Sequence, residues 1–266
     1  MKAKNQVEFQ ILDETDDFLV VNKPAGLLTH PTKPHGPRTL WDEVCALLSY
    51  ELATGGQVSL VNRLDRETSG TLLVAKTTAA ARAAGIAMQN GRVQKEYLAL
   101  VFGWPEWHEM TINAPIVRLG EVADSEVWVE RVVHPRGVRA ITRVRVEKRL
   151  ELRGYGRFSL LKAWLETGRT HQVRVHLSHV GFPLLGDKIY ARGSRHYLDF
   201  IARGWTKEME SEIWLSRHGL HSSRLGINVG ERKLEWTSPL AADLARMIEL
   251  GESSADLLSV EPAAVR

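Results

Sequence analysis

The chain has 266 residues, of which 44% are hydrophobic and 25% charged, a composition typical of a globular protein of one or two domains. Its 35 Lys and Arg exceed its 32 Asp and Glu by only 3, and a single cysteine, Cys45, excludes an intrachain disulfide and a thiolate metal cluster. The sequence shows neither a signal-peptide pattern nor an apolar run of the ~18 residues that a membrane helix needs, so we expect a cytoplasmic protein without a membrane partner.

Short apolar runs separated by Gly, Pro, Asn and Asp predict the strands. In chain order they are FLVVNKPAG (18–26), VSLVNRL (58–64), TLLVAKT (71–77), EYLALVFG (96–103), AITRVRVEKRLEL (140–152) and SLLKAWLE (159–166). The predicted helices are TLWDEVCALLS (39–49), capped by Thr39 and Asp42, TTAAARAAGIAMQNG (77–91), RTHQVRVHLSHVG (169–181) and SPLAADLARMIELG (238–251), with Ser238 as N-cap. Without regular strand–helix alternation, this order predicts an α+β fold with a mixed, mostly antiparallel central sheet flanked by helices and loops.

The charged residues are distributed unevenly along the chain. Residues 131–157 hold nine Lys and Arg against two Glu, whereas six acids and two Arg follow from Glu235 onward. Such an asymmetry is expected when one face binds a polyanion, although a solvated strand face fits the basic stretch equally well. The last stretch, GESSADLLSVEPAAVR (251–266), is small, polar and acidic, which predicts a loose tail.

Three histidines lie in HQVRVHLSH (171–179), which raises the alternative of a metal-dependent hydrolase. In a helix His176 and His179 are neighbours, but His171 points well away from His176, and no acid stands nearby on that helix. Polar or nucleic-acid-contacting histidines are commoner than a two-histidine site without a third ligand, so we expect no metal.

The stretch NRLDRETSG (62–70) places one carboxylate, Asp65, between two predicted strands. A loop fixed by two strands is a suitable position for a functional group, and Gly70 allows a positive φ in the turn. Taken alone, however, an Asp flanked by Arg63 and Arg66 is more often part of a surface salt bridge.

Further stretches decide between these alternatives. RLDRETSG (63–70) and TGRTHQVRVH (167–176) occur in this order. With them, and with NKPAG (22–26), KEYLALVFG (95–103), the continuation of the second motif to GDKIY (186–190) and GLHSSRLGI (219–227), the sequence resembles the RluA-type pseudouridine synthases over about residues 8–229. These enzymes isomerise uridine to pseudouridine in structured RNA. The resemblance implies a catalytic domain with an RNA-binding cleft over residues 1–235, followed over 236–266 by a C-terminal helix and the loose tail.

The resemblance also implies roles for individual residues. Asp65 matches the catalytic aspartate, Tyr97 the tyrosine that packs against the target base, and Arg174 the basic residue that pairs with the aspartate. The residues expected to bind RNA are Arg63, Arg66, Arg169 and His171. Many members have His where this chain has Asn62, a difference expected to affect local contacts or the choice of RNA.

We therefore expect an isomerase that needs no cofactor or metal and whose partner is a structured RNA, ribosomal or transfer. Many relatives carry an S4-type RNA-binding domain at the start, and this sequence begins almost directly with the catalytic domain. The alternative is a catalytically silent RNA-binding or ribosome-assembly module of the same fold. The oligomeric state is open, and a monomer is compatible with the sequence.

Overall fold

A computed structural model describes residues 9–33 and 35–258, with side chains described as far as residue 253. The strands in chain order are β1 (Gln10–Glu14), β2 (Phe18–Lys23), β3 (Ser59–Leu60), β4 (Ser69–Ala75), β5 (Val93–Phe102), β6 (Glu109–Asn113), β7 (Ile116–Arg118), β8 (Arg131–Val133), β9 (Ile141–Leu152), β10 (Gly156–Leu165), β11 (Leu220–Val229) and β12 (Arg232–Thr237). The helices are α1 (Leu40–Leu47), α2 (Ser49–Ala53), α3 (Thr78–Gln89), α4 (Gln172–His179), α5 (Arg195–Arg203), α6 (Lys207–Ile213) and α7 (Ala242–Leu258), with a 3₁₀ turn at Leu119–Glu121.

The chain divides into two compact units. The first comprises the chain up to Tyr97 together with Trp164–Glu166 and Leu220–Leu240. The second comprises Leu98–Ala163, Thr167–Gly219 and the chain from Ala241. Strands β5 and β10 supply residues to both units. The division into a catalytic domain over 1–235 and a C-terminal segment over 236–266 stays a prediction.

The first unit is a mixed sheet covered by a helix. Its strand order is β1-β2-β4-β11-β5, with β3 pairing β4 and β12 pairing β11. The β4–β11 pair is parallel, whereas β1–β2, β2–β4, β3–β4 and β11–β12 are antiparallel. Helix α3 packs on this sheet through Ala80, Ala84 and Ala87, whose small side chains share one helix face and pack in one cluster with apolar residues of β2 and β4.

The second unit contains the sheet order β5-β10-β9-β6 and a separate antiparallel pair, β7–β8. Helix α4 packs on β8 and β9, and α7 packs on β9. The polar face of α4 is also anchored: Gln172 Nε2 donates to Ile141 O at 2.9 Å, and the buried His176 ring lies 2.9 Å from both Thr142 Oγ1 and Ala114 O. His176 therefore holds α4 to the sheet.

The predicted fold class is confirmed, and so is the capping box of α1, in which Thr39 and Asp42 bond reciprocally. Several predicted boundaries were wrong, and for three of them the structure shows the cause. Strand β3 ends at Leu60 because Asn62 bonds β4 with its side chain rather than its backbone. Helix α4 begins at Gln172, since His171 has a left-handed φ of 58°.

The third boundary is that of α7, which begins at Ala242 rather than after Ser238. Ser238 is buried, and its hydroxyl bonds Ser222 O at 3.1 Å instead of capping a helix. The helix also continues past Gly251 to Leu258, where a loose tail was expected, and the rest of that predicted tail, 259–266, lies outside the described residues. Across the described part of the chain, every helix is too short or too polar to span a membrane.

Candidate functional site

Asp65 lies half-buried in the loop between β3 and β4, as predicted. The loop that follows β2 fixes the backbone on both sides of it. Thr29 Oγ1 donates to Leu64 O at 2.6 Å, and Nζ of the fully buried Lys23 donates to Arg66 O at 3.1 Å. Because the carbonyls before and after Asp65 are both bound, the carboxylate is attached to a backbone with little freedom to rotate.

Asn62 extends the pairing of β3 with β4 by means of its side chain. Its Oδ1 accepts a hydrogen bond from Leu73 N at 2.8 Å, and its Nδ2 donates to Thr71 O at 3.2 Å. A primary amide can accept and donate at once, as a strand residue does. Asn62 is 4% exposed, so its contribution in this structure is to hold the start of the Asp65 loop against β4.

The other end of the loop joins β4, which runs parallel to β11 at this point. Gly70 has φ +115°, and a Cβ placed on it would lie 2.2 Å from Ser222 O. The close approach of the two strands therefore requires glycine.

A buried histidine links three strands behind the loop. Nδ1 of His221 lies 2.9 Å from Ser69 Oγ, and its Nε2 lies 2.9 Å from Ser238 Oγ. Since Ser238 donates its one hydroxyl proton to Ser222 O, Nε2 must carry the ring proton and Nδ1 accepts from Ser69. The ring thus fixes β4, β11 and the residue that follows β12.

Tyr97 is 6% exposed and stands in the middle of β5 rather than at its start. Burial and the negative charge of Asp65 raise the pKa of the Tyr97 phenol well above its usual value of 10.0, while a hydrogen bond with the Ser222 side chain acts in the opposite direction. Tyr97 is therefore neutral at ordinary pH. The effect of Asp65 on this pKa means that the structure brings the two predicted catalytic residues of the first unit near each other.

The two arginines beside Asp65 are both exposed. Nε of Arg66 donates to Gly26 O at 3.1 Å, which adds a further contact between the Asp65 loop and the loop after β2. Burial and the charge of Arg63 lower the pKa of His30 below its usual value of 6.5, so His30 is predominantly neutral at neutral pH. This edge of the first unit presents cationic side chains next to the predicted catalytic carboxylate.

The remaining predicted catalytic residue, Arg174, belongs to the second unit and is buried on α4. Its Nε donates to Asp187 Oδ2 at 2.7 Å and its Nη2 to Asp187 Oδ1 at 2.9 Å. Burial by itself would raise the pKa of Asp187, but the charge and hydrogen bonds of Arg174, together with two backbone amides, hold that pKa below its usual value. The pairing of Arg174 with Asp65 stays a prediction.

Arg169 and His171, predicted to bind RNA, lie just before α4. Arg169 is exposed, and its Nε donates to Arg139 O at 3.2 Å. Nδ1 of His171 lies 2.8 Å from the hydroxyl of Tyr190, and the guanidinium carbon of Arg174 lies 5.0 Å from the centre of the Tyr190 ring.

The second unit also buries His218 among several cationic side chains. Burial, followed by the charges of Arg174, Arg217, His171 and Lys188, holds the pKa of His218 well below its usual value of 6.5. His218 is therefore neutral at neutral pH. Arg217 donates two hydrogen bonds to the Asp243 carboxylate, from Nε to Oδ2 at 2.7 Å and from Nη2 to Oδ1 at 2.8 Å.

Acids accompany much of the basic stretch 131–157. Arg143 lies 3.6 Å from Glu109, Arg145 lies 2.8 Å from Glu147, and Lys148 is paired with Glu252. These ion pairs offset part of the positive charge of β9. The contact of this stretch with an RNA backbone stays a prediction. Over residues 9–33 and 35–253, whose side chains are described, no group of three or more His, Cys, Asp or Glu side chains is arranged to hold a metal ion.

Sequence reasoning gave no role to Lys23, His221 and Asp187. All three lie in stretches that carried the resemblance, namely NKPAG, GLHSSRLGI and GDKIY (186–190). The sequence indicated that these stretches belong to the family motifs. The partners of each side chain, however, follow only from the fold.

The comparisons with known proteins agree with one another. A family model described as RNA pseudouridylate synthase matches residues 17–179. The chain is 40% identical over 228 residues to an uncharacterized RNA pseudouridine synthase of Chloroflexus aurantiacus, covering 84% of this chain and 63% of that protein. It is 34% identical over 249 residues to the ribosomal large subunit pseudouridine synthase D of Pseudomonas aeruginosa, covering 92% of this chain and 72% of that protein.

Two solved human structures share the fold. Human RNA Pseudouridylate Synthase Domain Containing 4 matches with a TM-score of 0.68 at 22% identity, over 91% of this chain and 92% of that one. Human RNA Pseudouridylate Synthase Domain Containing 1 matches with a TM-score of 0.66 at 24% identity, over 99% of this chain and 100% of that one.

Proposed function

This chain belongs to the RNA pseudouridylate synthase family, a family of isomerases, and we propose that it converts specific uridines in structured RNA to pseudouridine with Asp65 as the essential carboxylate. The observation that carries the proposal is the position of Asp65, in a loop whose backbone is held on both sides, with the buried Tyr97 close enough for its pKa to be affected by the Asp65 charge.

The reaction explains why a fixed carboxylate is needed. The C1′–N1 bond of uridine breaks, the uracil turns, and C5 bonds to C1′, with the proton of C5 leaving and N1 gaining one. The balance requires no oxidant and no added group. A carboxylate held beside the sugar can attack C1′, as in a retaining glycosidase, or remove the C2′ proton. Both routes use Asp65, and we propose no choice between them.

We propose that Tyr97 stacks on the uracil base of the target uridine. A base can stack on an aromatic ring and still turn, because stacking does not fix direction as a hydrogen bond does. Its raised pKa keeps the phenol neutral, so its hydroxyl is available as a donor rather than as a phenolate.

Arg174 is proposed to supply the fixed positive charge that favours an ionised Asp65. A guanidinium remains charged at any physiological pH, and its planar fork sets its orientation when both ends are bound. Lys in this position would supply a charge without that orientation.

The target uridine has to leave its stack, which costs a few kcal/mol. We propose that the exposed arginines beside Asp65 bind or replace the flipped nucleotide, and that Arg169 and His171 contribute further RNA contacts. The Pseudomonas aeruginosa relative is named for the large ribosomal subunit, so ribosomal RNA is the proposed first substrate class and transfer RNA the second. A cytoplasmic location fits such a substrate.

The alternative, a silent RNA-binding module of the same fold, is disfavoured because binding alone does not need Asp65, Tyr97 and Arg174 together. The deciding experiment maps pseudouridines across total RNA from cells with and without this gene, and again after complementation with the wild type or Asp65→Asn. Loss of specific pseudouridines, restored only by the wild type, supports the enzyme; an unchanged map in all strains supports the silent module. A chelator should leave the activity of the purified protein unchanged.

A further inference from the structure

We propose that Asp187 is a positioning residue for the isomerisation: it fixes the orientation of the Arg174 guanidinium that the catalytic carboxylate depends on. This inference rests on the proposed function. Asp187 lies in a sequence motif of the family, but the resemblance implies no role for it.

The contact is of the kind that fixes a guanidinium. Asp187 binds both Nε and Nη2 of Arg174, at 2.7 and 2.9 Å, and such paired bonds restrict rotation about the last bond of the side chain. Asp187 is 0% exposed and Arg174 is 6% exposed, so water competes little for these bonds. A single bond to Nε alone would leave the plane of the guanidinium free to turn.

The place of Asp187 is set independently of Arg174. Its Oδ1 also accepts hydrogen bonds from Ile189 N at 3.0 Å and Tyr190 N at 3.1 Å. The preceding Gly186 has φ +70°, and a Cβ on it would lie 2.0 Å from Arg217 O. The loop therefore fixes the Asp187 carboxylate through bonds that do not involve Arg174.

The same loop also supports the face of the guanidinium. Tyr190 places its ring 5.0 Å from the guanidinium carbon, and its hydroxyl accepts a hydrogen bond from Arg131 N at 2.9 Å. The edge and the face of Arg174 are thus both contacted by a loop of four residues, 187–190.

The second unit offers a matched control. Arg217 and Asp243 form the same two bonds, at 2.7 and 2.8 Å, and the Arg217 side chain is 8% exposed against 7% for Arg174. Neither residue of this pair has been assigned to the site. Asp243→Asn therefore removes the same two bonds from an equally buried arginine, at a carboxylate that is itself 48% exposed where Asp187 is 0% exposed.

The first test compares Asp187→Asn with Asp243→Asn in single-turnover and steady-state assays. The substrate is an unmodified transcript of the RNA in which the wild type forms pseudouridine. We expect Asp187→Asn to lower kcat about 10²-fold, the loss that a misplacement of about 1 Å can produce, with KM within about threefold of the wild type. Asp243→Asn should lower the Tm but leave kcat within about threefold. In an Arg174→Lys background, Asp187→Asn should lower kcat by less than about threefold further, because both changes remove the same interaction.

The second test uses guanidinium ion as a replacement for the missing side chain. Millimolar guanidinium chloride should restore part of the activity of Arg174→Ala, and the restoration should disappear in Arg174→Ala/Asp187→Asn. A merely structural role would lower the activity of both variants and leave the restoration intact. A measurement that needs no activity is the Arg174 Nε proton signal in NMR, which should exchange with water faster in Asp187→Asn and be unchanged in Asp243→Asn.

The outcomes separate this inference from the proposed function. If the wild type forms pseudouridine and Asp65→Asn does not, but Asp187→Asn keeps its kcat or loses no more than Asp243→Asn, the positioning role is wrong and the proposed function stands. If the wild type forms no pseudouridine in any RNA, the proposed function fails and this inference fails with it.

Discussion

Gly70 and Ser222 lie directly opposite each other in the parallel pairing of β4 and β11, with the Ser222 carbonyl oxygen only 2.2 Å from the position of a Cβ on Gly70. This approach sets where the Asp65 loop enters the sheet. The geometry is one that only glycine permits, and it leads to a stability prediction that does not depend on the proposed function.

Gly70→Ala should destabilise the protein by more than about 3 kcal/mol, because φ +115° strains any side chain and the new methyl group meets backbone that cannot move aside. Urea unfolding measures the free energy. The control is Gly91→Ala, which also has a positive φ, +65°, but no atom within 4 Å of the new Cβ, and should cost about 1 kcal/mol. Equal losses in the two variants would contradict the close approach of the strands.

Asn62→Ala should lower the free energy of unfolding by about 2–4 kcal/mol, since Leu73 N and Thr71 O would both lose a buried partner. The matched control is the exposed Asn113 of β6, whose change to Ala should stay within about 0.5 kcal/mol. Chemical denaturation at one pH suffices for both. An Asn62→Ala variant as stable as the wild type would mean that the amide does not hold β4.

The raised pKa of Tyr97 predicts a pH dependence of stability. Below the usual value of 10.0 the tyrosine is neutral in both the folded and the unfolded chain, so its contribution is fully present. As the pH rises above 10, the unfolded chain ionises first, and stability is lost at up to about 1.4 kcal/mol per pH unit until the folded pKa is passed. Tyr97→Phe cannot ionise, so its unfolding free energy should fall less steeply above pH 10. Parallel slopes for the two proteins would contradict the burial of the phenol.

Arg63→Ala and Arg66→Ala should weaken RNA binding and lower the slope of log affinity against log salt by about 1 each, provided that each arginine contacts a phosphate. Arg232 serves as control: it is exposed on the β12 hairpin and paired with Asp17 at 3.7 Å, and Arg232→Ala should leave the slope unchanged. Filter binding between low and moderate salt gives the slope. Identical slopes in all variants would remove Arg63 and Arg66 from the RNA contact.

The sequence predicted what local patterns can encode. Apolar runs located β2, β4, β5, β9 and β10, and Thr39 and Asp42 located the start of α1, because both signals act between near neighbours. Asp65 was placed in its loop for the same reason. The central strand β11 and the helices α5 and α6 were not predicted. The end of β3 and the start of α7 were wrong because Asn62 and Ser238 bond to strands that are distant in sequence, which no local pattern reports.

The same limit of local patterns applies to the candidate site. The motif positions predict Asp65, Tyr97 and Arg174 as catalytic residues, but the groups that bond to the backbone of the Asp65 loop and to Arg174 did not follow from the sequence. Lys23 reaches Arg66 O, and Asp187 reaches Arg174, only after the chain has folded. A buried lysine in NKPAG and an aspartate in GDKIY carry no local sign of their partners.

The measurement that tests the central claim most directly is pseudouridine formation by purified Asp65→Asn on its RNA substrate. The carboxamide keeps the size of the side chain and the backbone bonds of the loop, so RNA affinity should stay within about threefold of the wild type. Turnover should fall at least about 10³-fold, since the carboxylate that acts on the sugar is gone. Pseudouridine formed by Asp65→Asn at a rate near that of the wild type would contradict the assignment of Asp65 as the essential catalytic group.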